Sequence, residues 1–177
     1  MQIFETKIQG IKVIHPKVIN DNRGYFFETF QKERYQKMLG INYEFVQDNY
    51  SRSFKNVLRG LHFQENNVQG KLLRVVQGEV FDVAVDIRKN SPTFGQWVGM
   101  ILSAENNKQL WIPPGFAHGF LVLSDIADFE YKCTNYYDPH SERCLLWNDP
   151  TINISWPISN PILSDKDKLG KSLQELF

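Results

Sequence analysis

Hydrophobic residues along most of this chain form short runs, and polar or turn-forming residues separate the runs. Between Lys12 and Trp156 the runs are rich in Val, Ile, Phe, Tyr and Trp, while Gly, Asn, Asp and Pro stand between them. This arrangement is typical of strands joined by turns. We predict strands at Lys12–Val18, Tyr25–Phe30, Glu44–Ser51, Val57–Phe63, Leu72–Gln77, Val80–Ile87, Gln96–Leu102, Gln109–Ile112, Gly119–Leu123, Asp128–Thr134 and Cys144–Trp147. So many short strands indicate an all-β sandwich, jelly roll or barrel.

The most regular alternation lies at Val80–Ile87. Apolar side chains at its odd-numbered positions share one face, and Asp82 and Asp86 lie on the other face. This pattern predicts an antiparallel strand that is buried on one face only. Helical periodicity is confined to Lys32–Leu39, followed by Gly40 as a C-terminal cap, and to the tail at Lys168–Leu176. We therefore expect short peripheral helices around a β core.

Composition and charge narrow the class of protein. The 177 residues are 42% hydrophobic, enough to bury a continuous core, so we expect residues 1–177 to form a single domain. Twenty basic side chains balance twenty acidic ones, and no net charge attracts nucleic acid or an anionic membrane. Met1–Gly10 lacks the pattern of a signal peptide, and no apolar run is long enough to span a bilayer. We expect a cytoplasmic protein.

Polar residues stand on four segments that otherwise resemble core strands: Gln47–Asn49, Arg59–Gln64, Lys71 and Tyr131. A polar side chain in a barrel interior must be paired or hydrated. Taken alone, His62 is more often a satisfied core residue, but the nearby arginine, Arg59, suits a phosphate or carboxylate. Strict alternation places Arg59 and His62 on opposite faces. Either Gly60 marks a bulge, or Arg59 serves a neighbouring subunit.

The segment Trp111–Gly119 contains the spacing Pro-x-Gly-x-x-His, which ends at His118 and resembles the second motif of the cupins. Cupins are small β-barrels, and many hold a metal. Their first motif supplies His-x-His followed by Glu, whereas this chain has His62 and then Gln64, with no glutamate at the usual spacing. A histidine-rich metal site would lack ligands. We expect a cupin without metal, in which histidine transfers protons; alternatively, His118 is only a turn residue.

The two cysteines, Cys133 and Cys144, do not change this expectation. They show neither the number nor the spacing of a disulfide framework or of a zinc site. We expect both side chains to act as small buried hydrophobic groups.

Several long motifs in one order carry a more specific resemblance. They are Asp21–Glu28, Phe45–Ser51, Val57–Gln64, Gly70–Lys71, Gly78–Arg88, Ser91–Gly95 and Trp147–Pro150. Together they resemble the dTDP-4-dehydrorhamnose 3,5-epimerase family, from about Gly10 to Asp167. The resemblance implies a cupin-like jelly-roll β-barrel without a cofactor. It also implies epimerisation of carbons 3 and 5 beside the 4-ketone of dTDP-4-dehydro-6-deoxy-D-glucose, a step toward dTDP-L-rhamnose.

The resemblance implies a role for each of four residues. His62 is the base and Asp167 orients its imidazole, which stabilises the charged ring after proton uptake. Lys71 faces the oxyanion of the enolate, and Tyr131 returns a proton from the other side. Without the resemblance, Asp167 is a solvated charge, Lys71 begins a strand and Tyr131 is a core aromatic.

The resemblance also implies a substrate pocket and a homodimer that exchanges segments across its interface. In it, Tyr137 stacks on the thymine ring, and Arg23 is the foremost candidate to act from the partner subunit. The other implied substrate contacts are Glu28, Gln47, Asp48, Asn49, Arg59, His118, Glu142 and Lys166. Relatives that epimerise carbon 3 alone or isomerise the ketone remain an alternative. A metal-dependent oxygenase or a sugar-binding cupin is an alternative of another class.

Overall fold

A computed structural model describes residues Met1–Phe177 as thirteen strands and three short helices. The first strands are β1 (Gln2–Glu5), β2 (Lys12–His15), β3 (Ile19–Asp21), β4 (Gly24–Phe26), β5 (Gln47–Phe54), β6 (Leu58–Gln64) and β7 (Lys71–Gln77). The later strands are β8 (Glu79–Asp86), β9 (Trp97–Ser103), β10 (Gln109–Ile112), β11 (Phe116–Val122), β12 (Ile126–Cys133) and β13 (Glu142–Cys144). The helices are α1 (Lys32–Leu39), α2 (Asp165–Lys168) and α3 (Leu173–Leu176), and none is long and apolar enough to cross a membrane.

Two antiparallel sheets form the body of the protein. Six strands pair in the order β1-β2-β10-β7-β12-β5, and five pair in the order β13-β6-β11-β8-β9, while β3 and β4 form a separate hairpin. One cluster of buried side chains draws on both sheets, among them Leu73, Ala84, Leu110, Phe120 and Phe129. The predicted all-β, cupin-like jelly roll with short peripheral helices is therefore confirmed.

Strand β8 is buried on both faces, so the prediction of a half-buried strand is wrong. Asp82 and Asp86 face inward and are fully buried. The opposite face carries Val83 and Val85, which pack in a second apolar cluster with residues of the C-terminal segment such as Leu173. The alternation at Val80–Ile87 therefore separates an inner face with two buried carboxylates from an outer apolar face, which the C-terminal segment covers.

Several predicted boundaries shift in the structure. β5 runs beyond its predicted end to Phe54, only two residues of the predicted strand Tyr25–Phe30 lie in β4, and β13 ends at Cys144. β1 was not predicted, and it forms by pairing with β2. The predicted tail helix is two short helices, since Lys171 bridges to the neighbouring sheet and Ser172 then caps α3. Pairing with a segment distant in the sequence extends β5, which pairs with β12, and interrupts the tail at Lys171.

Asp86 organises the turn that follows β8. Its side chain is fully buried and accepts hydrogen bonds from the guanidinium of Arg88 and from the hydroxyls of Ser91 and Thr93. Burial opposes ionisation, but these hydrogen bonds outweigh it and bring the pKa of Asp86 down to about 2. Within the motif Ser91–Gly95, Ser91 and Thr93 thus bind the buried carboxylate of Asp86.

We expect Asp86→Asn to lower the free energy of unfolding by about 3 kcal/mol, because Arg88 loses a buried carboxylate partner. The folded pKa of about 2 lies below the ordinary 3.8. The ionised carboxylate therefore stabilises the fold fully above the ordinary pKa, and this contribution is lost as the pH falls through the folded pKa. Urea titrations at neutral pH and at about pH 2.5 should show the two proteins converging at the lower pH. Asp125→Asn is the control, since Asp125 is 95% exposed; an equal loss in both variants would contradict the prediction.

Candidate active site

A bulge in β6 places Arg59 and His62 in the same cavity. His118 of β11 pairs with His62 and Phe120 pairs with Arg59, so β6 has one more residue than β11 across this stretch. The extra residue reverses the alternation between Arg59 and His62. Both side chains line one cavity of the same chain. The bulge therefore explains why Arg59 and His62 share a face of β6. The alternative that Arg59 serves a neighbouring subunit is wrong.

Gly60 makes this bulge possible. Its φ is +127°, and a Cβ atom there would lie 2.5 Å from Cα of Gly119 on the facing strand.

We expect Gly60→Ala to lower the free energy of unfolding by at least about 2 kcal/mol more than Gly24→Ala. Gly24 is the matched control because its φ is +128° and no atom lies within 4 Å of the added Cβ. Urea unfolding of both variants measures the steric cost alone; equal losses would show that the close approach to Gly119 is tolerated.

The cavity lies between the two sheets and has a volume of about 390 Å³. Strands β5, β6, β7, β11 and β12 and the start of α2 contribute side chains to it. Eight of the predicted site residues line it: Asn49, Arg59, His62, Lys71, His118, Tyr131, Lys166 and Asp167. Segments that lie far apart in the sequence thus converge on one polar cavity.

His62 and Asp167 are in direct contact at the edge of this cavity. Nε2 of His62 lies 2.5 Å from Oδ1 of Asp167, and the Asp167 side chain is only 4% exposed. Burial opposes ionisation of Asp167, but the hydrogen bond with His62 and that with Ser164 outweigh it and lower its pKa. An ionised Asp167 fixes the proton of a neutral His62 on Nε2, which leaves Nδ1 free to accept a second proton.

Lys71 and Tyr131 lie on the six-stranded sheet, which faces the His62 strand. The Lys71 ammonium is 6.0 Å from the centre of the Tyr131 ring. Burial lowers the pKa of Lys71, although Cys133, Asp82 and Glu142 oppose this shift. Burial raises the pKa of Tyr131 to about 12. Tyr131 therefore keeps its phenolic proton at neutral pH, whereas burial makes Lys71 easier to deprotonate than an exposed lysine.

His118 has a buried carboxylate partner that the sequence analysis missed. Its Nε2 lies 2.9 Å from Oδ2 of Asp82, and the Asp82 side chain is fully buried. Burial lowers the pKa of His118 despite the opposing effect of Asp82. His118 lies in β11 and not in a turn, so that alternative is wrong. The position of Asp82 on the polar face of β8 was the available signal.

A polar network lies beside His62. Oε2 of Glu142 accepts hydrogen bonds from the Tyr137 hydroxyl, at 2.7 Å, and from the Lys166 ammonium. Burial opposes ionisation of Glu142, but these two hydrogen bonds lower its pKa. Gln47 accepts from the backbone of Tyr137 and donates to Asn49. Five predicted substrate contacts are thus held together.

Six predicted site residues do not line the cavity. Gln47, Tyr137 and Glu142 belong to the network beside His62, whereas the other three lie farther away. Arg23 binds Asp21 in the β3–β4 hairpin, where its side chain is 84% exposed. Glu28 binds Arg34 of α1, and Asp48 binds Lys132. Their predicted contacts with a substrate remain predictions, including that of Arg23 from a partner subunit.

The residue in place of the second cupin histidine does not line the cavity. Gln64 is 5% exposed; its amide nitrogen donates to the backbone of Asn67 and Tyr136, and its oxygen accepts from the backbone of Asp138. Gln64 therefore organises loops and offers no ligand beside His62 and His118.

Comparison with known proteins assigns this arrangement to a family. Residues 5–175 match the dTDP-4-dehydrorhamnose 3,5-epimerase family. The dTDP-4-dehydrorhamnose 3,5-epimerase of Shigella flexneri is 58% identical over 97% of this chain and 95% of its own. A crystal structure of dTDP-6-deoxy-D-glucose-3,5-epimerase from Legionella pneumophila, in complex with dTDP-4-keto-L-rhamnose, is 58% identical, with a TM-score of 0.96 over 98% of this chain and 93% of that one.

A less similar solved structure is that of an enzyme named as a single epimerase. The 3'-monoepimerase ChmJ of Streptomyces bikiniensis, in complex with dTDP-quinovose, is 34% identical, with a TM-score of 0.90 over 96% of this chain and 86% of that one. By its sequence and its fold, this chain belongs to the dTDP-4-dehydrorhamnose 3,5-epimerase family.

Proposed function

We propose that this protein is an isomerase that converts dTDP-4-dehydro-6-deoxy-D-glucose to dTDP-4-dehydro-L-rhamnose by inverting carbons 3 and 5. One observation carries the proposal: His62 lies on the five-stranded sheet and Tyr131 on the facing six-stranded sheet, and both line one cavity. An epimerase that removes a proton from one face of a carbon and returns one to the other needs an acid and a base on opposite sides. The identities to the Shigella and Legionella epimerases favour the double over the single epimerisation.

In this proposal His62 removes the proton next to the ketone. Nδ1 takes the proton, and the negative charge of Asp167, 2.5 Å from Nε2, stabilises the imidazolium. The electrons of the broken C–H bond move to the ketone oxygen, where the charge of Lys71 stabilises the enolate. Tyr131 then gives its hydroxyl proton to the opposite face of the carbon. Solvent takes the proton from His62 and returns one to the Tyr131 phenolate before the next inversion. Each inversion therefore breaks one C–H bond and forms another, without oxidation or a cofactor.

The remaining predicted residues bind the nucleotide in this proposal. Tyr137 is 51% exposed, and so its ring is accessible for stacking on thymine. Arg59 is suited to the diphosphate, since a guanidinium forms paired hydrogen bonds with phosphate oxygens. Glu142 accepts hydrogen bonds from the Tyr137 phenol and the Lys166 ammonium, and its Oε1 lies 4.0 Å from Nδ1 of His62. In this proposal the sugar lies beside His62 and the nucleotide lies toward the rim of the cavity.

A homodimer is part of the proposal. The β3–β4 hairpin exposes large apolar side chains, of which Ile19 is 55%, Tyr25 59% and Phe26 71% exposed. Such clusters on a protein surface are typical of interfaces. Arg23 lies in the turn of the same hairpin, and an interface there would carry Arg23 toward the partner subunit.

Turnover in deuterium oxide tests the proposed activity. Incubation of the 4-keto sugar nucleotide with the enzyme should give product with deuterium at both carbon 3 and carbon 5, which NMR and mass spectrometry resolve. A reaction without enzyme corrects for spontaneous exchange. Deuterium at carbon 3 alone would contradict the double inversion and indicate a 3-epimerase. Activity that disappears on dialysis against a chelator would indicate a metal-dependent cupin instead.

A further inference from the structure

Three side chains with different metal-binding groups meet at one edge of the active-site cavity. Nε2 of His62, Sγ of Cys144 and Oδ1 of Asp167 all lie within 4.8 Å of one another. We propose that these three atoms form a binding site for zinc or another thiophilic divalent cation, and that an ion bound there inhibits the enzyme. The inhibition rests on the proposed role of His62 as the base, whereas the binding does not.

The fold holds the three ligands in place. His62 and Cys144 are directly opposite each other in the antiparallel pair of β6 and β13. The neighbouring residues Leu61 and Leu145 exchange both of their backbone hydrogen bonds, so His62 and Cys144 form the closer, non-hydrogen-bonded type of pair. Asp167 approaches from α2, where its backbone nitrogen donates to the N-cap hydroxyl of Ser164. Two paired strands and a capped turn thus aim the ligands at one point.

The distances suit zinc after a small movement. Zinc binds sulfur at about 2.3 Å and nitrogen or oxygen at about 2.0–2.2 Å in a tetrahedron, so its ligand atoms lie about 3.3–3.7 Å apart. Sγ of Cys144 is already 3.8 Å from Oδ1 of Asp167, but Nε2 of His62 is only 2.5 Å from that oxygen. The His62 side chain is 29% exposed and borders the cavity. A movement of the ring by about 1 Å, away from Oδ1 of Asp167 and toward Sγ of Cys144, would bring the three atoms to zinc-binding distances, and a water molecule would take the fourth position.

The protons and charges balance when zinc binds. Cys144 loses its thiol proton to solvent, and the resulting thiolate and the Asp167 carboxylate neutralise the two charges of the ion. The thiol has only distant acceptors at present, at 3.7 Å and 3.8 Å. Zinc takes the place of the proton on Nε2 of His62, and this proton moves to Nδ1. Oε1 of Glu142, 4.0 Å from Nδ1, stabilises the new tautomer.

This change of tautomer explains the inhibition. The proposed mechanism needs an unprotonated Nδ1 on His62 to accept the substrate proton. With zinc on Nε2, Nδ1 carries a proton and the ring cannot act as a base. The cysteine spacing predicts no zinc site at Cys144, since the three ligands come from three separate segments and leave no local pattern.

Cobalt is the probe for binding, because a bond between Co²⁺ and a thiolate gives a charge-transfer absorption band. Chelator-treated full-length protein titrated with Co²⁺ should develop this band, and added Zn²⁺ should remove it. Cys144→Ser should lack the band and bind zinc at least about tenfold more weakly. Cys133→Ser, which changes the other free cysteine, should keep it. His62→Asn provides a second test that leaves the thiol intact, and it should also weaken zinc binding.

The absence of the band from the wild-type protein, or its presence in Cys144→Ser, would overturn the site. In the activity assay, micromolar zinc should inhibit the wild-type enzyme, and Cys144→Ser should need at least about tenfold more zinc for the same fractional inhibition. Equal sensitivity of the two proteins would overturn the proposed inhibition. A protein that shows the band but has no epimerase activity without zinc would refute the proposed function and leave the metal site standing.

Discussion

Replacement of His62 by asparagine should abolish hydrogen exchange at both carbons and lower kcat/KM by about 10³-fold, because a general base contributes about 10²–10⁴-fold. Asparagine keeps a polar group beside Asp167 but has no basic nitrogen. The loss should fall on proton abstraction, and the affinity for dTDP should stay nearly unchanged. The assay follows deuterium uptake by NMR in deuterium oxide, and calorimetry with dTDP measures binding.

His15→Asn is the matched control for this change. His15 lies on β2, outside the cavity, where its ring packs on Phe4. This variant should exchange deuterium at the wild-type rate. If His62→Asn also exchanges at that rate, His62 is not the base; if it loses dTDP binding as well, the defect is one of folding or binding and not of proton transfer.

Removal of the positive charge at Lys71 should have the second largest effect. Lys71→Met should lower kcat/KM by about 10²–10³-fold, since a group that stabilises an oxyanion in a dry site contributes about this much. Lys55→Met is the control, because Lys55 lies in the turn after β5 and its side chain is 57% exposed. The deuterium-exchange assay described above measures kcat/KM for both variants. A loss of less than about threefold in Lys71→Met would contradict the role of Lys71.

Lys71 should also set the alkaline limit of the activity. Burial lowers the pKa of Lys71 from its ordinary 10.5, so the stabilising charge disappears as the pH rises through this lowered value. Tyr131, with a pKa of about 12, keeps its proton in that range. In Lys71→Arg the charge persists to higher pH, and the alkaline limb of kcat/KM should move upward. If the alkaline limb of kcat/KM stays at the same pH in Lys71→Arg, another group causes the loss of activity at high pH.

Local patterns in the sequence predicted the elements that local interactions determine. Helix α1 has the predicted bounds, Lys32–Leu39, and Gly40 adopts the left-handed φ of 68° that ends it. The central strands were also predicted, because alternation persists wherever the two faces of a strand meet different surroundings. The elements that were missed, such as β1 and the division of the tail into α2 and α3, depend on a partner segment elsewhere in the chain.

The sequence likewise predicted some features of the candidate site and not others. Residue types and the family resemblance identified His62, Lys71 and Tyr131, which line one cavity. They did not show that Asp82 holds His118, because a buried carboxylate on β8 looks the same in sequence whether or not it has a partner. The alternation could not decide between a bulge at Gly60 and an exchanged Arg59. That choice depends on how closely Gly119 approaches from the neighbouring strand.

The pairing of His62 with Asp167 has a consequence for folding. The two residues are 105 positions apart in the sequence, and contacts of such long range form late because a large loop must close first. A chain with its two sheets already formed would therefore present Lys71 and Tyr131 in the cavity while His62 still lacked its carboxylate. During refolding, the capacity to bind dTDP should recover before the capacity to turn over the 4-keto sugar nucleotide, and the interval between the two reports the docking of the C-terminal segment.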